Sequence, residues 1–249
     1  MSAVAQHAKP SAQYAEHLQA SVQGLSATLQ RYPGAWAQAH SLGAEDVVVT
    51  HLLHLSGRLD AVEVFVLDTG RLHQATLDFI PQVESHFAIR LRRHAASLAE
   101  QTAFDQRHGL DAMRQSVALR QACCALRKLG PLSHALAGKQ GWITGLRREQ
   151  SAARADVPLL ENEGQRLKLN PLANWTWGDV WHHIAEHQLP HHPLHDAFYP
   201  SIGCAPCTRA ISLGEDFRAG RWWWEHDGAK ECGLHTPPVW PLKPAEASA

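Results

Sequence analysis

The sequence is poor in cysteine, with five among 249 residues, and it contains no long apolar run. Its most apolar stretch, VVVTHLLHL, is interrupted by His51 and His54, and the N-terminal MSAVAQHAKP has no apolar run of signal-peptide length. We therefore expect a cytoplasmic protein that does not associate with a membrane. In such a reducing compartment, cysteines serve as thiols, metal ligands or redox groups more often than as structural disulfides.

Acidic side chains are absent from one long segment, although the formal net charge of the chain is only −1. Residues 112–148 contain seven Lys and Arg residues and no Asp or Glu. This composition is typical either of solvated helix faces or of an electropositive pocket wall. The near-neutral total and the lack of a basic stripe interleaved with aromatics argue against a nucleic-acid partner. A small anionic ligand fits better.

Hydrophobic periodicity predicts helices that alternate with short apolar strands. The predicted helices cover residues 11–32, 44–55, 73–87, 97–109 and 113–129, and the predicted strands cover residues 62–67, 89–94 and 141–146. This alternation indicates an α/β fold with a doubly wound, mostly parallel sheet and helices on both faces.

Length and composition predict one domain followed by a tail. A chain of 249 residues with 45% hydrophobic content can form one sizeable core. The periodicity fades after about residue 213, where a Trp-rich and then Pro-rich segment follows. We assign residues 1–213, with the first helix, to the α/β domain and residues 214–249 to a flexible C-terminal tail.

Three loops are expected at the carboxyl ends of the strands, where open α/β sheets bind ligands. The loop SLGAED (41–46) joins a glycine turn to a helix start, so free backbone N–H groups near Ser41 and Gly43 could bind phosphate or sulfate. An ordinary strand-to-helix turn would have the same sequence.

The other two loops carry basic residues. The loop LDTGR (67–71) contains Asp68 and Arg71, although a plain turn capped by an aspartate is an alternative. The segment ITGLRREQSAAR contains Arg147, Arg148 and Arg154. Three guanidinium groups at one sheet edge favour a phosphate or sulfate ligand, whose oxygens they match bidentately.

Four of the five cysteines form two close pairs, Cys123-Cys124 and Cys204-Ala-Pro-Cys207. Four thiolates could hold one zinc ion, but two adjacent ligands strain a single tetrahedral centre. An iron–sulfur cube spreads its irons over several ångströms, so neighbouring cysteines can bind different irons. The adjacent pair therefore favours a cluster over zinc, and buried unliganded cysteines are a third interpretation.

The fifth cysteine, Cys232, lies in the tail between Lys230 and His235. A lone cysteine is usually inert. An exposed, electropositive setting lowers a thiol pKa, however, and makes the group a nucleophile. A flexible tail would also let Cys232 reach a partner protein.

Seven motifs, in the same order from about residue 36 to residue 235, resemble the assimilatory adenylyl-sulfate (APS) reductases. They are SLGAED, LDTGR, CC-x-x-R-K, TGLRR-x-QS, GCAPCTR, R-x-x-RWWWE and KECGLH. Relatives that reduce 3′-phosphoadenylyl sulfate (PAPS) share KECGLH but typically lack both cysteine pairs. The resemblance implies APS as substrate and an adenine-nucleotide α-hydrolase-like fold, in agreement with the predicted doubly wound sheet.

The resemblance also implies roles for individual residues. It places a [4Fe-4S] cluster on Cys123, Cys124, Cys204 and Cys207. Lys128 matches a lysine that links cluster and substrate. Arg218, Arg221 and His235 match residues on the sulfate side, and Arg154 matches another substrate arginine. With Ser41, Gly43, Asp68, Arg71 and Arg148, these form the predicted substrate-binding set.

The expected mechanism follows from the number of cysteines. The Cys232 thiolate would attack the sulfate sulfur of APS, release AMP and become an S-sulfonate. Because the other four cysteines are assigned as ligands, reduction must come from outside the chain, and thioredoxin is the electron donor in the family. A homo-oligomer is compatible with the sequence.

Three alternatives differ in what the sequence would have to contain. A non-enzymatic iron–sulfur redox sensor would need the cysteines but not the three nucleotide loops. A PP-loop ATP pyrophosphatase with zinc in the cysteine site would need a Ser-Gly-Gly-x-Asp-Ser loop, and SLGAED lacks the paired glycines. A PAPS reductase of the same family is the nearest alternative, and the two cysteine pairs argue against it.

Overall fold

The structure is a computed structural model that describes residues 2–225. Its strands are β1 (Trp36–Ala39), β2 (Val62–Leu67), β3 (Arg92–His94), β4 (Gly141–Ile143), β5 (Leu160–Asn162) and β6 (Leu167–Leu169). Its helices are α1 (Ala3–His7), α2 (Tyr14–Arg31), α3 (Ala44–Leu55), α4 (Gln74–Phe87), α5 (Leu98–His108), α6 (Ala112–Gln115), α7 (Val117–Cys124), α8 (Gly130–Ala135) and α9 (Trp177–Glu186).

The six strands form one sheet in the order β3-β2-β1-β4-β6-β5. Every neighbouring pair is parallel except β5 and β6. The chain moves outward from β1 through β2 to β3 and then returns to β4 on the other side of β1. The strand order therefore reverses between β1 and β4, which is where a doubly wound sheet opens a binding crevice. The predicted fold class is confirmed.

The central strands are buried on both faces, as the mixed α/β prediction requires. In β1, Trp36 packs into the larger core while its neighbour Ala37 packs into the smaller one. In β2, Val64 and Phe65 divide in the same way. Helices α2, α3, α4 and α9 contribute to the larger core and α8 contributes to the smaller one. Strands covered on both faces hold the loops at their carboxyl ends in fixed positions.

Several predicted elements agree with the structure, and the two with the strongest apolar patterns have the predicted bounds. These two are α3 and β2, predicted at residues 44–55 and 62–67. The predicted strands 89–94 and 141–146 are shorter than expected, since only Arg92–His94 and Gly141–Ile143 pair in the sheet.

Sequence reasoning missed the central strand β1, the edge strand β5 with its neighbour β6, and helix α9. Strand β1 is only four residues long and contains Gln38. The Gln38 side chain is buried, and its amide is hydrogen-bonded at both ends. Nε2 donates to Asp46 O at 2.8 Å, and Oε1 accepts from Thr50 Oγ1 at 3.0 Å. A polar residue satisfied by such nonadjacent partners interrupts the hydrophobic pattern from which strands are predicted.

The single helix predicted over 113–129 is wrong. Ser116 has an extended backbone, and its Oγ accepts a hydrogen bond from Leu119 N, so it ends α6 and caps α7. After Cys124 the chain forms one π-helical turn, Ala125–Leu129, before α8 begins. Such turns change the direction in which side chains point and are frequent at functional sites.

The described part of the predicted tail, residues 214–225, packs against the domain. Trp222 is 1% exposed, and its backbone N–H donates to Cys207 O at 3.2 Å. The backbone of Arg221 forms an antiparallel β-bridge with that of Thr208. The predicted residues Cys232 and His235 lie outside the described residues. Within residues 2–225, no helix combines the length and the apolar character that crossing a membrane would require.

Candidate active site

A cleft of about 210 Å³ opens at the carboxyl ends of β1, β2 and β4, next to the point where the strand order reverses. Of the predicted substrate-binding residues, the cleft is lined by Ser41, Gly43, Lys128, Arg154, Arg218 and Arg221. Polar residues that the sequence did not single out also line it, among them His40, Glu45, Asp46, Thr144, Gln150 and His195.

The loop after β1 is held by its own polar groups. Leu42 is buried with a left-handed backbone (φ 68°), and its N–H donates to His40 Nδ1 at 3.0 Å. The Ser41 N–H and hydroxyl both donate to Asp46 Oδ2, at 2.6 and 2.5 Å. The N–H groups of Gly43 and Ala44 donate to Ser41 Oγ and His195 Nε2. The expectation that these amides are free for an anion is therefore not met.

Two carboxylates follow this loop at the start of α3, where the helix dipole favours negative charge. Glu45 accepts from the buried guanidinium of Arg147, with Nη2 to Oε1 at 3.0 Å, and from Gln150 Nε2 at 2.9 Å. Burial raises the pKa of Asp46 to about 6, against the opposing effect of the Ser41 hydrogen bonds. This wall of the cleft is acidic and hydrogen-bonded, which suits neutral donors of a ligand better than an anion.

Two buried histidines in the cleft have defined tautomers. His195 Nε2 accepts from Ala44 N–H at 3.2 Å, so Nδ1 carries the proton and donates to Tyr199 O at 2.8 Å. His40 Nδ1 accepts from Leu42, which leaves the proton on Nε2, a buried atom without a hydrogen-bond partner within the described chain. Burial lowers the pKa of His195 to about 4 and that of His40 to about 3. Both rings are therefore neutral at pH 7.

Four basic residues also line the cleft, namely Lys128, Arg154, Arg218 and Arg221. Arg221 is buried, and its Nη1 donates to Ser201 Oγ at 3.3 Å and Ile202 O at 3.2 Å. Its buried Nε has no partner within the described residues. A Cβ on Gly203 would lie 2.6 Å from the Arg221 guanidinium carbon, so only glycine leaves room for this arginine. The four basic residues concentrate positive charge in the cleft.

Three predicted substrate residues lie elsewhere. Asp68 accepts from Gly70 N–H at 3.0 Å, which is the turn-capping role of the alternative interpretation. Arg148 is exposed and donates to Val157 O at 2.9 Å and Asn174 Oδ1 at 2.7 Å. Arg71 forms an ion pair with Asp105 at 3.0 Å and lines the neighbouring cavity instead of the cleft.

That neighbouring cavity contains all four paired cysteines, Cys123, Cys124, Cys204 and Cys207. Three of them are buried and Cys123 is half-buried, and none is in a disulfide. Five basic residues line the same cavity, namely Arg71, Arg120, Arg127, Lys128 and Arg221. Lys128, Arg221 and Cys204 line both the cysteine cavity and the cleft, so the two cavities meet at these residues.

The two cysteine pairs reach this cavity from separate parts of the fold. Cys123 and Cys124 end α7, directly before the π-helical turn. The Cys204 loop is fixed to the loop after β2, because Ala205 N–H donates to Arg71 O at 2.8 Å and Thr69 Oγ1 lies 3.3 Å from Cys204 Sγ. The buried Trp222 packs with Cys204 and Cys207 and shields them from solvent.

Two further arginines support the cysteine cavity, and the sequence prediction did not include them. Arg127 donates to both carboxylate oxygens of Asp105 at 2.9 Å and to Thr69 O at 2.9 Å. Arg120 Nε donates to Glu225 Oε1 at 2.6 Å, and its guanidinium lies 4.6 Å from the Trp222 ring centroid. The acid-free stretch 112–148 was the available signal, because it contains both arginines.

The donor set fits a cluster better than a single zinc ion. A tetrahedral zinc ion with Zn–S bonds of about 2.3 Å needs sulfurs roughly 3.8 Å apart. Cys123 and Cys124 are adjacent in the chain, and adjacent ligands strain so compact a centre, whereas they can bind different irons of a [4Fe-4S] cube.

Comparison with known proteins identifies the family of the chain. Residues 35–210 match the model of the phosphoadenosine phosphosulfate reductase domain family. An adenosine 5′-phosphosulfate reductase from Allochromatium vinosum is 50% identical over 209 residues, covering 83% of this chain and 81% of the relative.

Solved structures show the same fold at lower identity. A phosphoadenylyl-sulfate reductase from Candida auris in complex with phosphate has a TM-score of 0.62 at 23% identity, covering 75% of this chain and 88% of that one. An FMN adenylyltransferase from Candida glabrata, with FAD and pyrophosphate, has a TM-score of 0.56 at 13% identity, covering 92% and 79%. The chain thus has the fold of adenine-nucleotide α-hydrolase-like proteins.

Proposed function

We propose that this chain, which belongs to the phosphoadenosine phosphosulfate reductase family, reduces adenylyl sulfate to sulfite and AMP. Thioredoxin is the proposed electron donor, and the reaction is part of sulfate assimilation. The observation that supports this most is the pair of cations shared by the cleft and the cysteine cavity. Lys128 and Arg221 line both. A site that joins a cleft to four thiols through positive charge suits an anionic nucleotide and an iron–sulfur group.

Cys123, Cys124, Cys204 and Cys207 would hold the [4Fe-4S] cluster. Four thiolates bring negative charge into a buried cavity, and the five basic residues around them offset that charge. When bound, the cluster supplies structural stability and a fixed charge next to the sulfate site. The four cysteines are then committed as ligands, which leaves Cys232 as the nucleophile.

The four basic residues of the cleft are the proposed binding site of the phosphosulfate group. Lys128, Arg154, Arg218 and Arg221 would stabilise the charge that develops on the sulfate oxygens and on the departing phosphate. Arg71, Asp68 and Arg148 support neighbouring loops, and we assign them no direct substrate contact. The acidic wall, with Glu45 and Asp46, would face the hydroxyl or amino donors of the nucleoside.

The proposed chemistry has two steps. The Cys232 thiolate attacks the sulfate sulfur, the S–O bond to the phosphate breaks, and AMP leaves while Cys232 becomes an S-sulfonate. A thioredoxin thiolate then attacks the Cys232 sulfur and expels sulfite, and the second thioredoxin thiol resolves the mixed disulfide. His235 is proposed to contribute positive charge or a hydrogen bond on the sulfate side. Oxidation of the thioredoxin dithiol balances the two electrons gained by sulfur.

The substrate is tested by measuring sulfite release from APS and from PAPS under anaerobic conditions with thioredoxin. We expect kcat/KM for APS to exceed that for PAPS by at least about 10²-fold, a difference typical of a site built for one of two ligands that differ by a charged group. A preference for PAPS would identify the other branch of the family. No turnover with either substrate would favour the redox-sensor alternative.

The cluster is tested by metal analysis. Protein purified without oxygen should be brown and contain about four irons per chain, the content of one cubane. Cys123→Ser or Cys204→Ser should lower the iron content and bleach the colour. Cys232→Ser is the matched control and should retain both. Stoichiometric zinc without visible absorption would contradict the assignment.

A further inference from the structure

Three histidines from two helices converge at a position outside the cleft and the cysteine cavity. His51 belongs to α3, and His183 and His187 belong to α9. One ring nitrogen of each lies within 4.8 Å of the other two. Their ring centroids are 4.6 Å apart for His51 and His187, 4.3 Å for His183 and His187, and 5.0 Å for His51 and His183.

The helices bring these side chains together by simple spacing. His183 and His187 are four residues apart, so both project from one face of α9 and its C-terminal cap. Helix α3 packs against α9 and supplies His51 from the facing side. Pairs of histidines at this helical spacing, with a third ligand from another element, are a common way to form a three-imidazole metal site.

Hydrogen bonds fix the tautomer of His183. Tyr14 Oη donates to Glu186 Oε2 at 2.9 Å, so it accepts the hydrogen bond from His183 Nδ1 at 2.7 Å. His183 Nε2 then carries the lone pair, and it lies 2.8 Å from His51 Nδ1. A hydrogen bond from the outer ring nitrogen to a fixed acceptor orients metal-binding histidines in the same way.

His187 supplies a second, independent sign of a ligand. Its Nε2 is buried and has no hydrogen-bond partner within residues 2–225. The neighbouring Glu186 Oε2, at 3.7 Å, is too distant for a hydrogen bond. The His187 ring therefore has a nitrogen that no hydrogen bond of the described chain occupies, as a metal-binding imidazole would need.

We propose that His51, His183 and His187 bind one divalent transition-metal ion, Zn²⁺ above all, with a water molecule as the fourth ligand. Neutral imidazoles without thiolates or a carboxylate cage suit zinc better than calcium or magnesium. Zn–N bonds of about 2.0–2.1 Å require nitrogens roughly 3.3 Å apart, within the range that the three rings already span. Binding replaces the His51–His183 hydrogen bond, and the His51 proton moves to Nε2, so no net proton is released.

Such a site would connect the two helices that support the cleft. The first turn of α3 contains Glu45 and Asp46, which line the cleft. Helix α9 begins with Trp177, whose ring lies 5.3 Å from the guanidinium of Arg147, the partner of Glu45. The ion would therefore stabilise the scaffold of the acidic wall without contacting substrate.

The test uses untagged protein with its cysteine site fully loaded, titrated anaerobically with Zn²⁺ and then dialysed for metal analysis. We expect one tightly bound zinc per chain and a higher unfolding temperature. His187→Gln and His51→Gln should each weaken zinc binding by at least about 10-fold. His134→Ala, which removes an exposed histidine on α8, should leave the affinity unchanged.

The ligands are identified by X-ray absorption at the zinc edge. The expected spectrum has nitrogen or oxygen ligands at about 2.0 Å with imidazole scattering and no sulfur. Sulfur ligands, absence of stoichiometric binding to the wild type, or binding that survives in His187→Gln would each overturn the proposal. If His51→Gln fails to fold, the half-buried His187→Gln still decides the question. None of these readouts depends on activity toward APS.

Discussion

Cys232→Ser should abolish sulfite formation, with a loss of at least about 10⁴-fold in kcat, as expected when the nucleophile is removed. A serine hydroxyl is far less nucleophilic at neutral pH than a cysteine thiolate. APS binding and the brown colour should persist, because the cations of the cleft and the four cysteine ligands are unchanged. The measurement is anaerobic sulfite release with thioredoxin, alongside iron content and APS affinity.

Retention of even a few per cent of wild-type turnover in Cys232→Ser would mean that another group attacks the sulfur. Cys123→Ser provides the contrasting variant. Cys123→Ser should lose iron, whereas Cys232→Ser should keep its iron and lose only catalytic activity. This separation of cofactor loss from catalytic loss distinguishes a nucleophile from a structural cysteine.

Lys128→Ala should lower kcat by about 10²–10³-fold, the typical cost of removing one group that stabilises developing negative charge. Lys128 lies on the π-helical turn directly after α7 and lines both the cleft and the cysteine cavity. The cluster should remain, since all four thiols are still present. Initial rates, iron content and the visible spectrum of the variant are the required measurements.

Lys139→Ala is the matched control for this prediction. Lys139 belongs to the same acid-free segment, but it forms an ion pair with Glu63 at 3.3 Å and does not line the cleft. Its removal should leave kcat within a factor of about two, as for surface substitutions away from a site. Wild-type kinetics in Lys128→Ala would contradict the prediction and show that Lys128 has no role in catalysis.

The sequence predicted the fold class because its longest apolar patterns belong to the elements that form the core. The predicted ranges 44–55 and 62–67 coincide with α3 and β2, because their many apolar side chains are buried in the core. The short strand β1 escaped prediction, although it lies at the centre of the sheet. Its buried Gln38 is satisfied by contacts that no periodic pattern contains.

The candidate site was predictable where chemistry is encoded by rare residues. Two cysteine pairs separated by about eighty residues of sequence line one cavity, as the resemblance implied. The cleft histidines were not predictable, because His195 reaches Ala44 across 151 residues of chain. Arg71 and Arg148 show the converse difficulty. An arginine near a sheet edge can pair with Asp105 or with backbone carbonyls instead of a ligand.

The structure also explains why the acid-free segment is informative only in part. Arg120 and Arg127 surround the cysteines, but each is paired with a carboxylate from outside the segment, Glu225 and Asp105 respectively. Lys139 and Arg148 of the same segment are engaged far from the cysteines. A charge run therefore combines pocket walls with ordinary helix faces, and only the fold separates them.

The most direct measurement is a single turnover of wild-type protein with APS in the absence of any reductant. One AMP per chain should be released without free sulfite, and the protein should gain about 80 Da, the mass of one SO₃ held by a nucleophilic cysteine. The adduct should map to the peptide that contains KECGLH, and added thioredoxin should remove it as sulfite forms. AMP release that requires reductant, or an adduct on a cysteine other than Cys232, would contradict the proposed mechanism.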